Sequence, residues 1–414
     1  MKKLILLTHG FPYGRGESFL ENEIDYLSNA FNKIEILAYS KKQGDRRELP
    51  SNCNVHHYKP VANLKENIGS IPFLILHFFS FLSLLISEIR FVKKNKSLKI
   101  SRTVIGKAVH DLVKGFQLYL YMKRTFTYDK NTVLYAYWFV NIALAAGLIK
   151  KHYPQVKAVA RGHRSDIYDY EHDPNYLSFQ YFKVKMLDKL VFISQDGCDY
   201  VRQKTNLKPE KFIVSKLGIN LPPRIEKPVN LTEYHIVSCS FIHRVKRVHL
   251  IIDALSRIED LRIRWTHLGG GPLQEEIEEF ANRKLGAKKN IIYRLEGNQS
   301  NREVLEFYKK EKIDIFINVS SSEGIPVSIM EAMSYGIPVI ATNVGGSGEI
   351  VNSSNGILLE KDFNIGFLTQ GIIRLLKSDQ EVRIRLSEAV YNTVAEKYNA
   401  NINYPEFVQM LLNL

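Results

Sequence analysis

Short apolar, β-favouring runs alternate along this chain with amphipathic helical patterns, the order expected of α/β domains built on parallel sheets. In the first half the runs are Lys3–Leu7, Lys33–Ala38, Thr132–Tyr137, Val156–Ala160 and Lys189–Ile193. A second series comprises His235–Cys239, Arg262–Leu268, Ile291–Leu295, Ile313–Val319 and Pro338–Ala341. Between the two series Gly218, Pro222, Pro223 and Pro228 break the pattern, as an interdomain linker does. The pattern therefore predicts an α/β protein of two Rossmann-like domains facing a central cleft. Their limits are read as 1–217 and 231–397, with a linker over 218–230 and a C-terminal helix over 398–414 that packs back on the first domain.

One segment departs from the alternation. Ile68–Ser87 runs about twenty residues without a formal charge, near the span of a bilayer. Lys93, Lys94, Lys96, Lys99 and Arg102 follow it. A transmembrane helix, a buried core helix, and an interfacial or re-entrant segment all fit this pattern. A single crossing would put strands of one sheet on opposite sides of a membrane. The interfacial or re-entrant reading is therefore favoured, with residues 68–107 at the membrane and the lysines on anionic lipid.

Length and charge sharpen this picture. At 414 residues the chain exceeds one ordinary core. Its net charge of +14 is uneven: residues 1–218 hold 34 Lys/Arg against 19 Asp/Glu, and the rest hold 23 against 24. An anionic partner for the first half follows. No nucleic-acid recognition motif is visible, and the charge clusters beside an apolar run, so an anionic membrane surface is expected rather than nucleic acid. Cys53, Cys198 and Cys239 are too dispersed for a disulfide framework or a zinc site. The short apolar stretch after Met1-Lys2-Lys3 reads as a buried first strand rather than a signal peptide. The expected location is cytoplasmic, peripheral on the inner face of the cell membrane.

The candidate chemistry is concentrated in Ser320–Val351, SSSEGIPVSIMEAMSYGIPVIATNVGGSGEIV. Glu323 and Glu331 flank a Gly-Ile-Pro turn between a β-like run and a helix-favouring stretch. A helix N-terminus offers free N–H groups to phosphate, whereas carboxylates suit sugar hydroxyls; together they suggest a sugar nucleotide. The plainer alternative is one surface and one helical glutamate. Against it, Glu323 follows a β-run, where open α/β sheets bind ligands, and Glu331 has apolar neighbours in sequence. In the loop after His235–Cys239, Lys246 enters a helix N-terminus, where it is placed for a diphosphate or is simply part of a solvated loop edge. Gly269-Gly270-Gly271 reads as a close backbone approach or a plain turn. Gly345-Gly346-Ser347-Gly348 reads as a second backbone-donor nest. No Asp-x-Asp signature for a metal-held diphosphate is present, and no cofactor is expected.

The Glu-x7-Glu block, the following Gly-Ile-Pro-Val and Gly-Gly-x-x-Glu-Ile-Val, Gly297, and Asn301–Tyr308 resemble glycosyltransferase family 4, the retaining group 1 enzymes of the GT-B fold. Gly10–Phe19 and Arg161–Asp166 are similar to members that build bacterial surface polysaccharides. The resemblance implies a metal-independent hexosyltransferase using a nucleotide-diphosphate sugar, a UDP-sugar favoured. Its acceptor would be a lipid-linked saccharide in capsule, exopolysaccharide or O-antigen synthesis. Glu331 would hold ribose hydroxyls and Glu323 the transferred sugar. Gly324, Ile325, Pro326 and Val327 would line the sugar and diphosphate, with Val327 and Ser328 as amide donors because Pro326 has none. Lys246 would neutralise the leaving diphosphate, Gly14 and Gly16 would approach the donor phosphate, and His163 would lie near the reacting carbon. For His163 a structural role beside Asp166 remains the alternative. The family's usual arginine five residues before the lysine is Phe241 here, so Arg244 or Arg247 would supply that charge. A nucleotide-sugar-binding partner subunit without transfer activity is the alternative function.

Overall fold

The computed structural model describes residues 2–14, 17, 19–39, 46–59, 78–94, 100–205, 209–224 and 233–414. They form two compact units, Met1–Leu217 with Ile402–Leu414, and Gly218–Asn401. Gly16, residues 68–77 of the apolar segment and residues 225–230 of the expected linker lie outside the described residues.

In the first unit, seven strands are found among the described residues: β1 (Lys3–Thr8), β2 (Lys33–Ala38), β3 (Cys53–His57), β4 (Thr132–Ala136), β5 (Lys157–Gly162), β6 (Lys189–Phe192) and β7 (Phe212–Val214). They pair in the order β3-β2-β1-β4-β5-β6-β7, and every pairing is parallel. Successive side chains of a strand point to opposite faces. Leu4, Leu6, Val133 and Tyr135 therefore enter one core while Ile5, Leu7, Leu134 and Ala136 enter the other. Burial on both faces explains why these strands read as unbroken apolar runs.

Helices cover each face. The Arg102–Thr125 and Asn141–His152 helices pack on one side. On the other lie the Phe19–Ala30 helix and, from the far end of the chain, Phe407, Val408 and Leu411 of the Ala400–Leu412 helix. A fully buried ion pair joins these pieces: Arg161 on β5 donates to Glu23 on the Phe19–Ala30 helix. The Arg161 guanidinium carbon sits 4.1 Å from the centre of the Phe407 ring, a cation–π contact in a desolvated setting.

The second unit holds β8 (Tyr234–Cys239), β9 (Ile263–Leu268), β10 (Ile291–Leu295), β11 (Ile315–Asn318), β12 (Val339–Thr342) and β13 (Gly356–Leu359). Their order is β10-β9-β8-β11-β12-β13, again parallel throughout. Ile236, Trp265, Ile317 and Ile340 meet the Val248–Ser256, Gln274–Leu285 and Ile365–Leu376 helices in one core. Every strand read from apolar runs is present, with ends shifted by at most two residues. Three strands were not read from the sequence, β3, β7 and β13, and all three are sheet edges.

Residues 78–94 of the apolar and basic stretch form a helix, Phe78–Lys94. Leu84, Glu88 and Val92 are buried, while Phe79, Leu82 and Ile86 are exposed. Among the described residues no helix is long and apolar enough to cross a membrane.

The buried ion pair yields a stability test. Glu23→Ala leaves the Arg161 charge buried without its partner, and the expected loss is about 3–5 kcal/mol in urea unfolding. Pairing it with Arg161→Met removes the stranded charge, so the double variant is expected to be more stable than Glu23→Ala alone.

Candidate functional site

In an open parallel sheet, ligands bind beyond the carboxyl ends of the strands where the strand order reverses. In the second unit that point lies between β8 and β11. Lys246 comes from the single turn Arg244–Lys246 after β8, and Glu323 from the loop after β11. The Lys246 Nζ donates to Glu323 Oε1 at 2.6 Å. Asn318 at the end of β11 donates its Nδ2 to the same oxygen at 3.3 Å. Glu323 is 6% exposed, and a carboxylate so desolvated needs such partners. The ammonium group assigned to a diphosphate and the carboxylate assigned to a sugar thus hold each other in place.

From Glu323 the chain runs through Gly324 and Ile325 to Pro326, the N-cap of the Val327–Ser334 helix. Amides in the first turn of a helix have no intrahelical acceptor, and the helix dipole is positive there. Val327 and Ser328 occupy that turn. The turn is fixed from behind by the glycine loop after β12. Gly345 has φ of 51°, and a Cβ there would fall 1.8 Å from the Glu323 carbonyl oxygen. Gly346 N donates to Gly324 O at 2.7 Å. The amides of Gly346, Ser347 and Glu349 all donate to protein carbonyls. Of the loop read as a backbone-donor nest, the Gly346 and Ser347 amides are thus spent on the protein, and the loop clamps the Glu323 turn. Gly269-Gly270-Gly271 has the same kind of task. Cβ atoms on Gly269 and Gly271 would strike the carbonyl oxygens of Ser240 and Ile242, so glycine lets the loop after β9 lie against the loop that carries Lys246.

Glu331 lies one turn into the Val327–Ser334 helix. Asn301 Nδ2 donates to its Oε1 at 2.6 Å. Desolvation nevertheless pushes its carboxyl up to about 7, with the Asn301 amide pulling the other way. Glu331 is thus a half-buried carboxyl with too few hydrogen-bond donors for its ionised form. Vicinal hydroxyls of a ribose are donors of the right kind.

The loop after β8 divides its cations. Arg247, in left-handed conformation at φ 48°, donates from Nε to Val319 O at 2.7 Å, from Nη1 to Lys361 O at 2.8 Å and from Nη2 to Ser320 O at 3.2 Å. It anchors the loop to the ends of neighbouring strands. Arg244 is exposed and has no ion pair among the described residues, so of the two arginines it is the one left to meet a ligand. Phe241 is 58% exposed.

In the first unit, His163 follows β5 and is 7% exposed. Its ring lies 4.4 Å from that of Trp138 and 4.8 Å from that of Tyr137, centre to centre. Asp166 is spent on backbone, accepting from the amides of Phe139, His163 and Arg164; its nearer oxygen is 3.6 Å from His163 Nδ1. Neither ring nitrogen of His163 has a hydrogen-bond partner in the protein. Gly14, with φ of 69°, sits in the loop after β1. That loop is organised by Glu17, which accepts from the amides of His9, Gly10 and Phe11 and from the Trp138 indole. Among the described residues no group of three or more His, Cys, Asp or Glu is placed to hold a metal ion.

Three contributors escaped the sequence reading: Asn318, Asn301 and Glu17. Asn318 had a signal, a lone amide ending a buried apolar strand. Asn301 follows the Ser300 capping box, and nothing local marks it as a partner of Glu331.

Two parallel α/β units with this site at the strand-order reversal of the second define a GT-B glycosyltransferase fold. Over 99% of both chains, the fold is similar to that of HepE from Anabaena solved with UDP and glucose, at TM-score 0.66 and 16% identity. Residues 224–393 match the family model for glycosyl transferases group 1, a stretch that covers most of the second unit. Two curated relatives agree. One, an uncharacterized glycosyltransferase of Methanocaldococcus jannaschii, is 37% identical over 34% of this chain and 38% of its own. The other, the O-antigen biosynthesis glycosyltransferase WbnH of Escherichia coli, is 25% identical over 48% of this chain and 55% of its own. The matched stretches thus span less than two thirds of these relatives.

Glu331 makes a prediction that needs no substrate. Its folded-state pKa is raised, so between about 4.5 and about 7 the native state holds a proton that the unfolded state has lost. Stability from this group therefore falls as pH rises through that window. Glu331→Gln is expected to raise the unfolding temperature at pH 8 and to leave it nearly unchanged at pH 4. The gain is on the order of 1 kcal/mol after allowing for solvent screening.

Proposed function

We propose that this protein is a retaining hexosyltransferase. It moves a hexose from a nucleotide-diphosphate sugar, a UDP-sugar favoured, to a lipid-linked saccharide in the assembly of a bacterial surface polysaccharide such as capsule, exopolysaccharide or O-antigen. The observation that carries this reading is the Glu331 carboxyl, short of donors and eight residues from the Lys246–Glu323 pair at a strand-order reversal. HepE, solved with UDP and glucose, and WbnH, an O-antigen biosynthesis glycosyltransferase, support the donor and the product class.

The chemistry follows from where charge develops. Breaking the bond between the sugar C1 and the diphosphate oxygen leaves negative charge on the diphosphate and oxocarbenium character on the sugar. Positive groups already in place stabilise that anion without reorganising. Lys246, Arg244 and the first-turn amides at Val327 and Ser328 fill this role, and Glu323 accepts from hydroxyls of the transferred hexose. Glu331 accepts from the ribose. Retention is assigned to front-face substitution: the acceptor oxygen bonds to C1 on the face the diphosphate leaves, and its proton passes to the departing phosphate oxygen. His163, whose ring nitrogens have no hydrogen-bond partner in the protein, is assigned to the reacting sugar, and Gly14 to the approach of a first-unit loop to the donor phosphate. The reaction needs no metal in this scheme. The basic excess of residues 1–218 holds the protein at an anionic membrane on the cytoplasmic side.

Three measurements test the reading. Among UDP-, GDP- and ADP-sugars, the true donor at a hundredfold over its Kd is expected to add about 2.7 kcal/mol of stability. Glu323→Gln and Lys246→Ala are each expected to cut turnover with membrane extract by at least about a hundredfold; unchanged turnover in both would sink the site assignment. Turnover is expected to survive EDTA. Donor binding with no turnover on any acceptor would instead mark a partner subunit.

A further inference from the structure

The carboxyl ends of β1 and β4 also flank a strand-order reversal, and there the first unit holds a cavity of about 690 Å³. Its wall combines aromatic rings with ammonium groups. Tyr39 and Trp138 supply apolar surface; Lys107, Lys114 and Lys183 supply charge. Lys107 and Lys114 stand seven residues apart on the Arg102–Thr125 helix, and therefore on one face of it. Lys183 is 2% exposed and enters from the Gln180–Met186 helix. Its Nζ donates to Phe139 O at 2.7 Å and lies 4.3 Å from the centre of the Phe139 ring. Burial pulls its pKa down to about 8.

The two carboxylates of the wall are both hydrogen-bonded to protein groups. Glu17 holds the backbone of the loop after β1 and the Trp138 indole. Asp111 accepts from the Ser178 hydroxyl and contacts His110. Lys107 donates to Tyr176 O at 2.8 Å. Lys114 has neither a hydrogen bond nor an ion pair among the described residues. Asp111, Glu88 and Asp166 offset the desolvation of Lys183 only in part, and Asp111 acts likewise on Lys107; three ammonium groups against two wall carboxylates leave a place for an anion.

The neighbouring element says what the anion is attached to. The Phe78–Lys94 helix turns Glu88 inward, where it accepts from Tyr176 OH at 2.7 Å and from Phe179 N at 2.8 Å. Leu177 and Ser178, between those two residues, line the cavity. Glu88 thus ties this helix to the cavity wall. Outward, the same helix presents Phe79, 84% exposed, with Leu82 and Ile86. Arg90, Lys93 and Lys94 follow at its C-terminal end. An apolar stripe beside cations complements the tail and headgroup of an anionic lipid.

We infer that this cavity seats the phosphate or diphosphate of the lipid-linked acceptor, read by Lys107, Lys114 and Lys183, while the outer face of the Phe78–Lys94 helix takes the apolar tail. The inference rests on the transferase reading above and adds the part of the acceptor the first unit recognises.

The chain has two tryptophans. Trp138 lines the cavity, whereas Trp265 is fully buried in the second unit, so indole fluorescence reports the cavity locally. Decyl phosphate, decanol and inorganic phosphate are the probes. Decyl phosphate is expected to change the fluorescence saturably in the full chain, and Trp138→Phe to abolish the change. Lys114→Gln is expected to weaken binding at least about tenfold, some 1.4 kcal/mol, at an unchanged unfolding temperature. Lys114→Arg is expected to retain binding, and Lys246→Ala to leave it untouched. Inorganic phosphate is expected to bind at least about tenfold more weakly than decyl phosphate. Equal affinity of wild type and Lys114→Gln, or equal affinity for decanol, overturns the anion site. Inorganic phosphate binding as tightly as decyl phosphate overturns the lipid half. Thermal protection by the sugar nucleotide is expected to persist in Lys114→Gln; its absence from the wild type would overturn the transferase reading whatever the cavity binds.

Discussion

The ion pair between Lys246 and Glu323 is the constraint on which the rest of the second unit's site depends. It joins loops that leave β8 and β11, the two strands at which the sheet changes direction. Two α/β halves diverge there, and without a link their loops would be free to separate. A nearly buried carboxylate at that place needs donors, and Lys246 and Asn318 supply them. Arg247 secures the same junction from beneath through carbonyls of Val319, Ser320 and Lys361. The glycine loop at Gly345–Gly346 presses against the backbone of the Glu323 turn. A conformational restraint on so short a turn preorganises its free amides, which is worth more in a desolvated site than in water.

A tension between stability and ligand chemistry runs through both units. Glu331 is held with fewer donors than its ionised form needs. Lys183 is held with its ammonium group desolvated. His163 keeps both ring nitrogens without hydrogen-bond partners. Each is a small local cost that a fold of this size tolerates because both sheets are buried on two faces. Groups whose burial is uncompensated concentrate at sites that a ligand completes. Arg161 differs in that its charge meets Glu23 and three aromatic rings within its own unit, although its Nε and Nη2 make no hydrogen bond.

The legibility of the fold follows strand position. The central strands had to be apolar on both faces, so a run such as Lys33–Ala38 was readable to the residue. Of the edge strands, Ile291–Leu295 was read and the other three were not. Cys53–His57 carries two histidines and an asparagine, and Phe212–Val214 is three residues long; a strand paired on one side alone can be short or polar. At the site, Glu323, Glu331 and Lys246 were legible because their types and spacing sit at a strand-to-helix turn. The division of labour between Arg244 and Arg247 was not, since both are cations in one short loop and only the carbonyls around Arg247 separate them. The glycine loops had ambiguous local signals: a glycine that opens amides to a ligand and one that admits a neighbouring carbonyl look the same in sequence.

By itself the amino-acid order determined the α/β class, the parallel sheets, the boundary near Gly218 and the glutamate pair with its lysine. These are properties of local pattern: periodicity, turn chemistry and residue type within a few positions. Tertiary structure alone decided which groups meet. It set Lys246 on Glu323 across 77 positions and Asn301 on Glu331 across 30. It brought the C-terminal helix to the Arg161–Glu23 pair of the first unit. It also gathered three lysines and an indole around one cavity. Contacts at such separations arise from the order in which strands assemble, and strand order is set by packing of the whole unit rather than by any stretch of the chain.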